Sequence, residues 1–462
     1  MANNGARPLV DVCVLSGGVP RPLTYIGPTG AAPAVGCRVR VPLRGRLVVG
    51  VVWAHRERWQ ETDIRLRTLV EVVDENPVVT PRQLQLCRFV ARYYHANLGA
   101  VLKLCLPPLL GKQAGPRQQR WLWPLATGES LPTRAAALRR LDAFIRTHLP
   151  PVSDVYVQRA FPGCRQQIDR LAALGRITLR AEPLPPDLTQ LRLSDEPSRE
   201  SVRLNPDQQR AVQAIQAALE SGGGFLLEGV TGSGKTEVYM HVARAMLEQG
   251  RSVLVVAPEI ALTPLLVTRF TTALRAKVLL LHSGLTQAQR RDTLFTLLQR
   301  EPRVVVGARS ALFAPLPRLG LIVVDEEHDT SHKHEGGVPY HSRDVALWRA
   351  KNEKALAVLG SATPSLESCH NVAQGKLTHL RLPQRIGGRG VLPRVEVVDL
   401  RARAQHARTR RRDQAQSEGQ ALCVLSEPLR QALERTLRDG RQAMLFLNRR
   451  GYATFALCDA CG

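Results

Sequence analysis

The sequence predicts an α/β protein of several domains, and three observations lead to that prediction. The chain has 462 residues, which is too many for one ordinary hydrophobic core. It is 44% hydrophobic, so we expect packed domains rather than disorder. From Leu204 onward, continuous apolar runs alternate with helical patterns, as in a doubly wound sheet of buried parallel strands.

Residues 1–106 are expected to form a small β-rich domain, either a barrel or a sandwich. Short apolar runs such as Leu9–Leu15, Val35–Val41 and Leu47–Trp53 are separated by Gly and Pro, which is typical of strands. An apolar stripe from Pro81 to Asn97 then predicts a helix.

A second domain is predicted over residues 109–200. Helical patterns at Arg134–His148 and Arg165–Gly175 precede a short apolar run, and this order favours a small helical or winged-helix module. The stretch Glu182–Arg199 is rich in Pro, Asp and Ser and is interpreted as a linker.

Residues 201–380 are predicted to hold the doubly wound sheet, and residues 381–462 the start of a second lobe. The expected parallel strands are Phe225–Leu227, Val253–Ala257, Val278–Leu281, Val304–Val306, Leu321–Val324 and Ala357–Leu359. In the second lobe, a helix is predicted at Glu427–Arg438 and a first strand at Ala443–Leu447.

A phosphate-binding loop is predicted between the first of these strands and the helical pattern Glu237–Glu248. The matching residues are Gly229, Val230, Thr231, Gly232, Ser233, Gly234, Lys235 and Thr236, in the pattern G-x-x-x-x-G-K-(S/T). The glycines let backbone N–H groups turn toward phosphate oxygens, and the helix N-terminus adds partial positive charge. Lys235 is expected to reach the β- and γ-phosphates and Thr236 to ligate Mg²⁺, so MgATP is the expected ligand.

An acidic motif, Asp325-Glu326-Glu327-His328, follows the apolar run Leu321–Val324. A carboxylate at a strand tip suits a second contact to Mg²⁺, which is the role predicted for Asp325. Glu326 is expected to orient the attacking water as general base. The alternative is a solvated acidic loop.

Three further candidate sites follow predicted strands or begin predicted helices of the parallel-sheet domain. The stretch Ser361–Thr363 is interpreted as a relay between nucleotide and nucleic acid, or as an ordinary helix cap. Arg309 is predicted to contact DNA phosphates, although an ordinary turn fits equally well. Gln208 is predicted to bond an adenine edge; the stretch Asn205–Asp207 also reads as a helix N-terminus, and both interpretations can hold together.

The composition indicates a polyanionic partner and a cytoplasmic protein. The net charge is +24, which suits nucleic acid, although an arginine-rich proteome would give the same charge. Nine cysteines, mostly single, predict free thiols in a reducing compartment. Neither a signal peptide nor an apolar run of ~18 residues is evident, so no membrane contact is expected.

A cysteine pair, Cys458 and Cys461, has the C-x-x-C spacing that suits Zn²⁺. Two thiolates cannot close a tetrahedral site, so a chance spacing or a redox pair are the alternatives.

Together these motifs resemble one family. The matching stretches are Gly36–Pro42, Gly229–Tyr239, Pro258–Ile260, His282–Leu285, Arg309–Phe313, Asp325–Asp329, Tyr340–Asp344, Gly360–Pro364 and Phe446–Tyr452. In this order they resemble the PriA family of replication-restart DNA helicases, also called primosomal protein N′. The resemblance implies an N-terminal 3′-end DNA-binding domain, a winged-helix-like domain, a RecA-like helicase lobe and a second lobe with a zinc module.

The same resemblance implies ATP-driven 3′-to-5′ unwinding at stalled or collapsed replication forks. By position, Tyr25 and Arg67 would line the pocket for the DNA 3′ end, and Cys458 and Cys461 would be the first two zinc ligands. The implied partners are forked and single-stranded DNA, other primosome proteins and single-strand-binding protein. A monomer is expected.

The sequence departs from the family in three places. Thr24 stands where the family usually has an acidic residue, which puts tight 3′-end recognition in doubt. The loop after His328 keeps Tyr340 where the family has several aromatic residues, so weaker coupling of DNA binding to ATP turnover is expected. The sequence ends at Gly462, before the remaining zinc ligands and the arginines of the second lobe. We therefore expect a truncated chain that binds MgATP but hydrolyses it poorly.

Two other classes of function are open at this point. One is a non-catalytic protein that binds ATP and fork DNA, and the other is a branched-DNA translocase of another family. The zinc pair and the N-terminal motifs distinguish the PriA resemblance from the second of these.

Overall fold

The structure is a computed structural model, and it describes the greater part of the chain. The described residues are 7–15, 18–58, 65–108, 118–125, 131, 135–147, 152–183, 203–258, 263–274, 278–299, 301–386, 394–398 and 426–446. They belong to two units, Met1–Gly388 and Arg389–Gly462. Within these ranges, no helix is both long and apolar enough to cross a membrane.

Five antiparallel strands begin the first unit. They are β1 Leu9–Val14, β2 Leu23–Ile26, β3 Arg38–Leu43, β4 Arg46–Arg56 and β5 Glu71–Val72, in the order β2-β1-β4-β3-β5. Just before β5, the chain joins the two edges of this sheet. Ile26 N–H donates to Arg67 O at 3.0 Å, and Val70 N–H donates to Arg40 O at 3.0 Å. The sheet therefore closes into a small barrel, which confirms the predicted β-rich N-terminal domain.

Two helices follow the barrel, α1 Pro81–Tyr93 and α2 Leu98–Cys105. Thr80 and Gln83 form a capping box at the start of α1, and Pro81 occupies its first turn, where a missing N–H costs nothing. Asn97 caps α2 by accepting from Ala100 N–H at 3.1 Å. The predicted helix over 81–97 is thus one helix followed by a turn.

A small α/β module comes next. Its elements are β6 Gln118–Pro124, α3 Ala136–Thr147, β7 Val152–Ser153, α4 Asp154–Ala160, α5 Arg165–Ala173 and β8 Ile177–Pro183. The strands pair antiparallel in the order β7-β6-β8, and buried Leu122, Leu141 and Ile168 belong to one core beneath them. A helix-turn-helix followed by a strand of the same sheet is a winged-helix-like arrangement, as predicted. Strand β8 extends to Pro183, into the predicted linker.

A seven-stranded sheet forms the centre of the first unit. Its strands are β9 Gly223–Gly229, β10 Ser252–Val256, β11 Val278–Leu281, β12 Val304–Gly307, β13 Leu319–Val324, β16 Leu356–Ser361 and β17 Thr378–Leu382. They are all parallel, in the order β11-β12-β10-β13-β16-β9-β17. Helix α6 Pro206–Ala217 precedes β9, and the helices between the strands are α7 Lys235–Glu248, α8 Thr263–Leu274, α9 Gln287–Leu298, α10 Ser342–Glu353 and α11 Leu366–Ala373. A short hairpin, β14 Lys333–His334 and β15 Tyr340–His341, precedes α10.

Every apolar run predicted as a parallel strand is a strand of this sheet, and the RecA-like doubly wound lobe is confirmed. The prediction missed β17, whose sequence Thr-His-Leu-Arg-Leu is not a continuous apolar run. This strand lies at the edge of the sheet, beside β9, so half of it faces solvent. Strand β17 continues to Leu382, so the sheet extends beyond residue 380, where the sequence predicted this domain to end.

The N-terminal domain and the helicase-like lobe share one hydrophobic core. Leu86, Val90 and Leu102 of the N-terminal helices belong to the same buried cluster as Phe313 and Tyr340 of the lobe. Hydrogen bonds cross the same boundary: Gln83 Nε2–H donates to Phe313 O at 2.7 Å. The two regions are therefore packed as one body rather than joined by a linker.

The described part of the second unit contains one helix, α12 Glu427–Arg438, capped by the Ser426 hydroxyl. The strand predicted at Ala443–Leu447 is absent over residues 443–446, and Leu447 lies outside the described residues. Met444 and Phe446 are 95% and 86% exposed. A strand needs a hydrogen-bonded neighbour, and in the described part of this unit there is none.

Candidate active site

The phosphate-binding loop connects the buried strand β9 to α7 at the carboxyl edge of the sheet. Gly232 has φ 80° and Gly234 has φ 81°, the left-handed region that only glycine adopts at no steric cost. A Cβ at Gly234 would also collide with the amide group of Gln208. The glycines of the motif are thus required by the backbone path.

Lys235 begins α7 and is only 8% exposed. Its Nζ donates to Gly229 O at 3.0 Å and lies 3.7 Å from Glu326 Oε1. The carbonyl oxygen of Gly229 and the single carboxylate of Glu326 attract the lysine ammonium group less strongly than a triphosphate does. The geometry therefore suits an anion that replaces them at the N-terminus of α7, where Thr236 also lies.

Gln208 holds the phosphate-binding loop from behind. Its Nε2–H donates to Ser233 O at 2.9 Å, and its Oε1 accepts from Asn205 N–H at 2.9 Å. Asn205 Oδ1 in turn caps α6 by accepting from Gln208 N–H at 2.9 Å. The helix N-terminus interpretation is confirmed, whereas a contact to adenine stays a prediction.

Asp325 and Glu326 lie at the tip of β13, beside the loop. Tyr239 O–H of α7 donates to Asp325 Oδ1 at 3.1 Å. Burial, and then the charge of Glu326, raise the pKa of Asp325, while the Tyr239 hydroxyl and Lys235 oppose that rise. Glu326 has φ 48°, a left-handed conformation that is strained for a residue with a side chain.

These side chains fit a triphosphate with a divalent cation. Lys235 supplies positive charge, and Thr236 and Asp325 supply the oxygen ligands that Mg²⁺ prefers. Burial raises the pKa of Asp325 despite the nearby Tyr239 hydroxyl and Lys235, and a bound cation would offset the cost of burying its charge. Ser233 Oγ is buried and has no hydrogen-bond partner among the described residues. Its hydroxyl group is therefore able to donate to a phosphate oxygen bound in the loop.

The acidic motif and the stretch Ser361–Thr363 contact each other directly. His328 Nδ1 lies 2.7 Å from Ser361 Oγ, which also accepts from Thr363 N–H at 3.0 Å. Glu327 N–H donates to Gly360 O at 2.9 Å. Strands β13 and β16 are neighbours, so the two motifs meet at their tips. A Cβ at Gly360 would collide with the Tyr239 hydroxyl.

The loop after the acidic motif is tied to the site through buried contacts. His332 Nε2 lies 2.9 Å from Asp325 O, and because a carbonyl only accepts, Nε2 carries the proton. Burial lowers the pKa of His332, which keeps the ring neutral. The His334 ring stacks on Tyr340 at 5.1 Å between centroids.

Arg309 supports this loop from the tip of β12. Its Nη1–H donates to Ser331 O at 2.7 Å and to Lys333 O at 2.9 Å. The predicted contact of Arg309 with DNA phosphates stays a prediction, and its position beside the loop is what the structure adds.

The sequence did not single out Tyr239, Glu327, His332 or Arg343 as site residues. Glu327 is fully buried, and Arg343 Nη1–H donates to its carboxylate at 3.3 Å. A signal was present, because a second glutamate directly after Asp325 and Glu326 requires a partner if it is buried. Which arginine supplies it cannot be read from spacing.

The predicted 3′-end pocket lies at the barrel seam. Tyr25 is 3% exposed, and its O–H donates to Pro42 O at 3.3 Å. Burial raises the pKa of Tyr25, and the charge of exposed Arg67 opposes that rise. Thr24 Oγ1–H donates to Asp11 Oδ1 at 2.6 Å, which puts a carboxylate from the next strand beside Thr24.

The predicted zinc ligands Cys458 and Cys461 lie outside the described residues. Over the described ranges, no cluster of three or more His, Cys, Asp or Glu residues is arranged to hold a metal ion.

Two family models match this chain. The 3′DNA-binding domain (3′BD) of PriA matches residues 11–107, and the DEAD/DEAH box helicase domain matches residues 205–372. The first range covers the barrel with α1 and α2, and the second covers most of the parallel sheet. The helicase match does not favour the non-catalytic alternative.

Curated relatives extend the similarity over nearly the whole chain. The replication restart protein PriA of Haemophilus influenzae is 34% identical over 451 residues, which is 96% of this chain and 59% of that protein. The PriA protein of Chlamydia pneumoniae is 31% identical over 97% of this chain and 58% of its own length. That of Bacillus subtilis is 41% identical over 57% of this chain and 31% of its own length. The chain thus spans less than two thirds of the relatives it matches.

Proposed function

Because this chain is a relative of the replication restart proteins PriA, we propose that it is an ATP-dependent DNA helicase. It unwinds DNA in the 3′-to-5′ direction and recognises stalled or collapsed replication forks. One observation carries the proposal: a phosphate-binding loop with its acidic partner residues is packed in one body with a domain that matches a 3′ DNA-binding model.

The ATP site works through residues at the carboxyl ends of β9 and β13, which lie on either side of β16. Lys235 would leave Gly229 O and Glu326 to bind the β- and γ-phosphates, and Thr236 and Asp325 would hold Mg²⁺. Glu326, released from Lys235, orients the attacking water and accepts its proton. The bound cation supplies charge stabilisation at the transferred phosphoryl group.

DNA contacts are assigned to both parts of the packed body. Tyr25 and Arg67 line the seam of the barrel, where the 3′ end of a strand binds. Arg309 donates to the loop that holds His332, and His332 donates to Asp325 O. A DNA phosphate bound at Arg309 therefore affects the position of Asp325 in the ATP site. The net charge of +24 supports binding of forked and single-stranded DNA.

Further proposals follow from the family resemblance. Cys458 and Cys461 bind Zn²⁺ together with ligands from elsewhere. Partners are other primosome proteins and single-strand-binding protein, and the protein acts as a monomer in the cytoplasm.

A strand-displacement assay tests the proposed function. Partial duplexes with either a 3′ or a 5′ single-stranded tail are incubated with the chain, Mg²⁺ and ATP. Slow displacement of the duplex with the 3′ tail, dependent on hydrolysable ATP, is expected. Displacement that favours the 5′ tail, or that proceeds equally well without ATP, contradicts the proposal.

A further inference from the structure

We propose that the first turn of α10 links the N-terminal domain to the ATP site, with Tyr94 and Arg343 as positioning residues. This inference rests on the proposed function, since it assigns a route by which DNA binding and ATP binding affect each other. Four consecutive residues, His341 to Asp344, make the link, and each side of it is a set of named contacts.

On the ATP side, Arg343 fixes the residue next to the general base. Glu327 is fully buried, and its carboxylate accepts from Arg343 Nη1–H at 3.3 Å. It also accepts from Ser365 N–H at 2.7 Å and from Ser368 Oγ–H at 2.9 Å. A buried carboxylate with this many donors cannot move without moving them, because any lost donor leaves a buried charge uncompensated.

On the DNA side, one hydroxyl of the N-terminal domain fixes the same turn. Tyr94 directly follows α1, and its O–H donates to Asp344 Oδ2 at 2.9 Å. The hydroxyl oxygen of Tyr94 also accepts from His341 N–H at 3.1 Å. Its two partners flank Arg343 in the chain. Burial raises the pKa of Tyr94, so the hydroxyl keeps its proton at neutral pH and remains a donor.

Nucleotide binding changes one end of this link. Lys235 lies 3.7 Å from Glu326 Oε1, and it must leave that position to reach a triphosphate. Glu326 has φ 48°, a strained conformation whose relief would favour a backbone change once Lys235 leaves. A change at Glu326 moves Glu327, which is bonded to Arg343. By thermodynamic linkage, DNA that shifts the N-terminal domain changes nucleotide affinity by the same factor.

The experiment measures this coupling directly. The affinity of the chain for a fork with an exposed 3′ end is determined with and without saturating Mg²⁺ and the β,γ-imido analogue of ATP. For the unmodified chain we expect the two affinities to differ about fivefold or more. In Tyr94→Phe, which keeps the ring and loses the hydroxyl, the ratio should fall below about twofold, while nucleotide affinity without DNA is kept.

Matched variants separate the link from general damage. Tyr93→Phe removes a hydroxyl from the adjacent tyrosine, which is 60% exposed, and should leave the ratio unchanged. Arg343→Lys keeps the charge but loses the planar group, and should lower the ratio as Tyr94→Phe does. Should Tyr94→Phe fail to fold, Arg343→Lys and Ser365→Ala carry the test.

The outcomes distinguish this inference from the function on which it rests. A chain that binds neither the analogue nor fork DNA overturns the proposed function. A chain that binds both without coupling, or a Tyr94→Phe variant that keeps the full ratio, overturns the inference alone.

Discussion

The ATP site and the N-terminal barrel place their predicted residues in different ways. Lys235, Asp325 and Glu326 lie on loops at the tips of buried parallel strands, where side chains serve chemistry and the strands serve the core. In the barrel, Tyr25 belongs to the core itself, and Arg67 comes from the segment that closes the sheet. Chemistry and folding are thus separable at the ATP site and combined in one side chain at the barrel seam.

The largest effect is expected at Glu326, the proposed general base. Glu326→Gln should lower ATP turnover by about 10²-fold or more, because the amide cannot accept the proton of the attacking water. Nucleotide binding should persist or tighten, since a negative charge near the phosphates is lost. Steady-state hydrolysis and equilibrium binding of a fluorescent ATP analogue measure the two quantities.

Glu335→Gln is the control for that substitution, since it lies in the loop after the acidic motif and its side chain is 75% exposed. Equal losses of turnover in the two variants would show that Glu326 has no special role at this edge.

Lys235→Ala should weaken MgATP binding by about 10- to 100-fold, the usual effect of losing a charge-assisted bond to phosphate. Fork affinity at matched salt should stay the same, because the barrel does not contain Lys235. The exposed Lys333→Ala serves as a control for charge. An equal loss of fork affinity in Lys235→Ala would mean that the two regions are one binding site.

The pH dependence of MgATP binding tests whether Asp325 must be ionised for Mg²⁺ to bind. Its raised pKa means that protonation begins at higher pH than for an exposed aspartate, so Mg²⁺-dependent affinity falls as the pH falls through that raised value. Tyr239→Phe removes a hydrogen bond that lowers this pKa. The midpoint should therefore shift to higher pH in the variant, and titration of the nucleotide cancels in the comparison. A midpoint that stays in place contradicts the assignment.

The smallest effects are expected in the barrel. Tyr25→Phe should cost about 1 kcal/mol of stability through the lost bond to Pro42 O. Arg67→Ala should leave the melting temperature unchanged and weaken binding of a free DNA 3′ end several-fold. Thermal unfolding and fluorescence anisotropy separate the two. If both variants lost only stability, the seam would not be a DNA pocket.

The same comparison explains how far the sequence could predict the structure. The strands of the parallel sheet are continuous apolar runs, because both faces are covered by helices, and local pattern suffices to locate them. The phosphate-binding loop was predictable because its glycines and lysine are adjacent in sequence. By contrast, β17 mixes polar and apolar residues because it lies at the edge of the sheet, and the sequence pattern therefore did not predict it.

The contacts around Glu327 show where prediction from sequence stops. Its partners Arg343, Ser365 and Ser368 lie on two other elements, α10 and the start of α11. Only the packing of those helices against β13 and β16 selects them. The bond from Tyr94 to Asp344 crosses between domains, and nothing in either local pattern specifies it.

If the carboxyl edge of the parallel sheet is an ATP site that responds to DNA, ATP hydrolysis reports both properties at once. The rate of ATP hydrolysis is measured for the unmodified chain and for Lys235→Ala, each with and without forked DNA. We expect a rate that is low in absolute terms, rises when forked DNA is added and is lost in Lys235→Ala. Hydrolysis that ignores DNA, or that survives in Lys235→Ala, would contradict it.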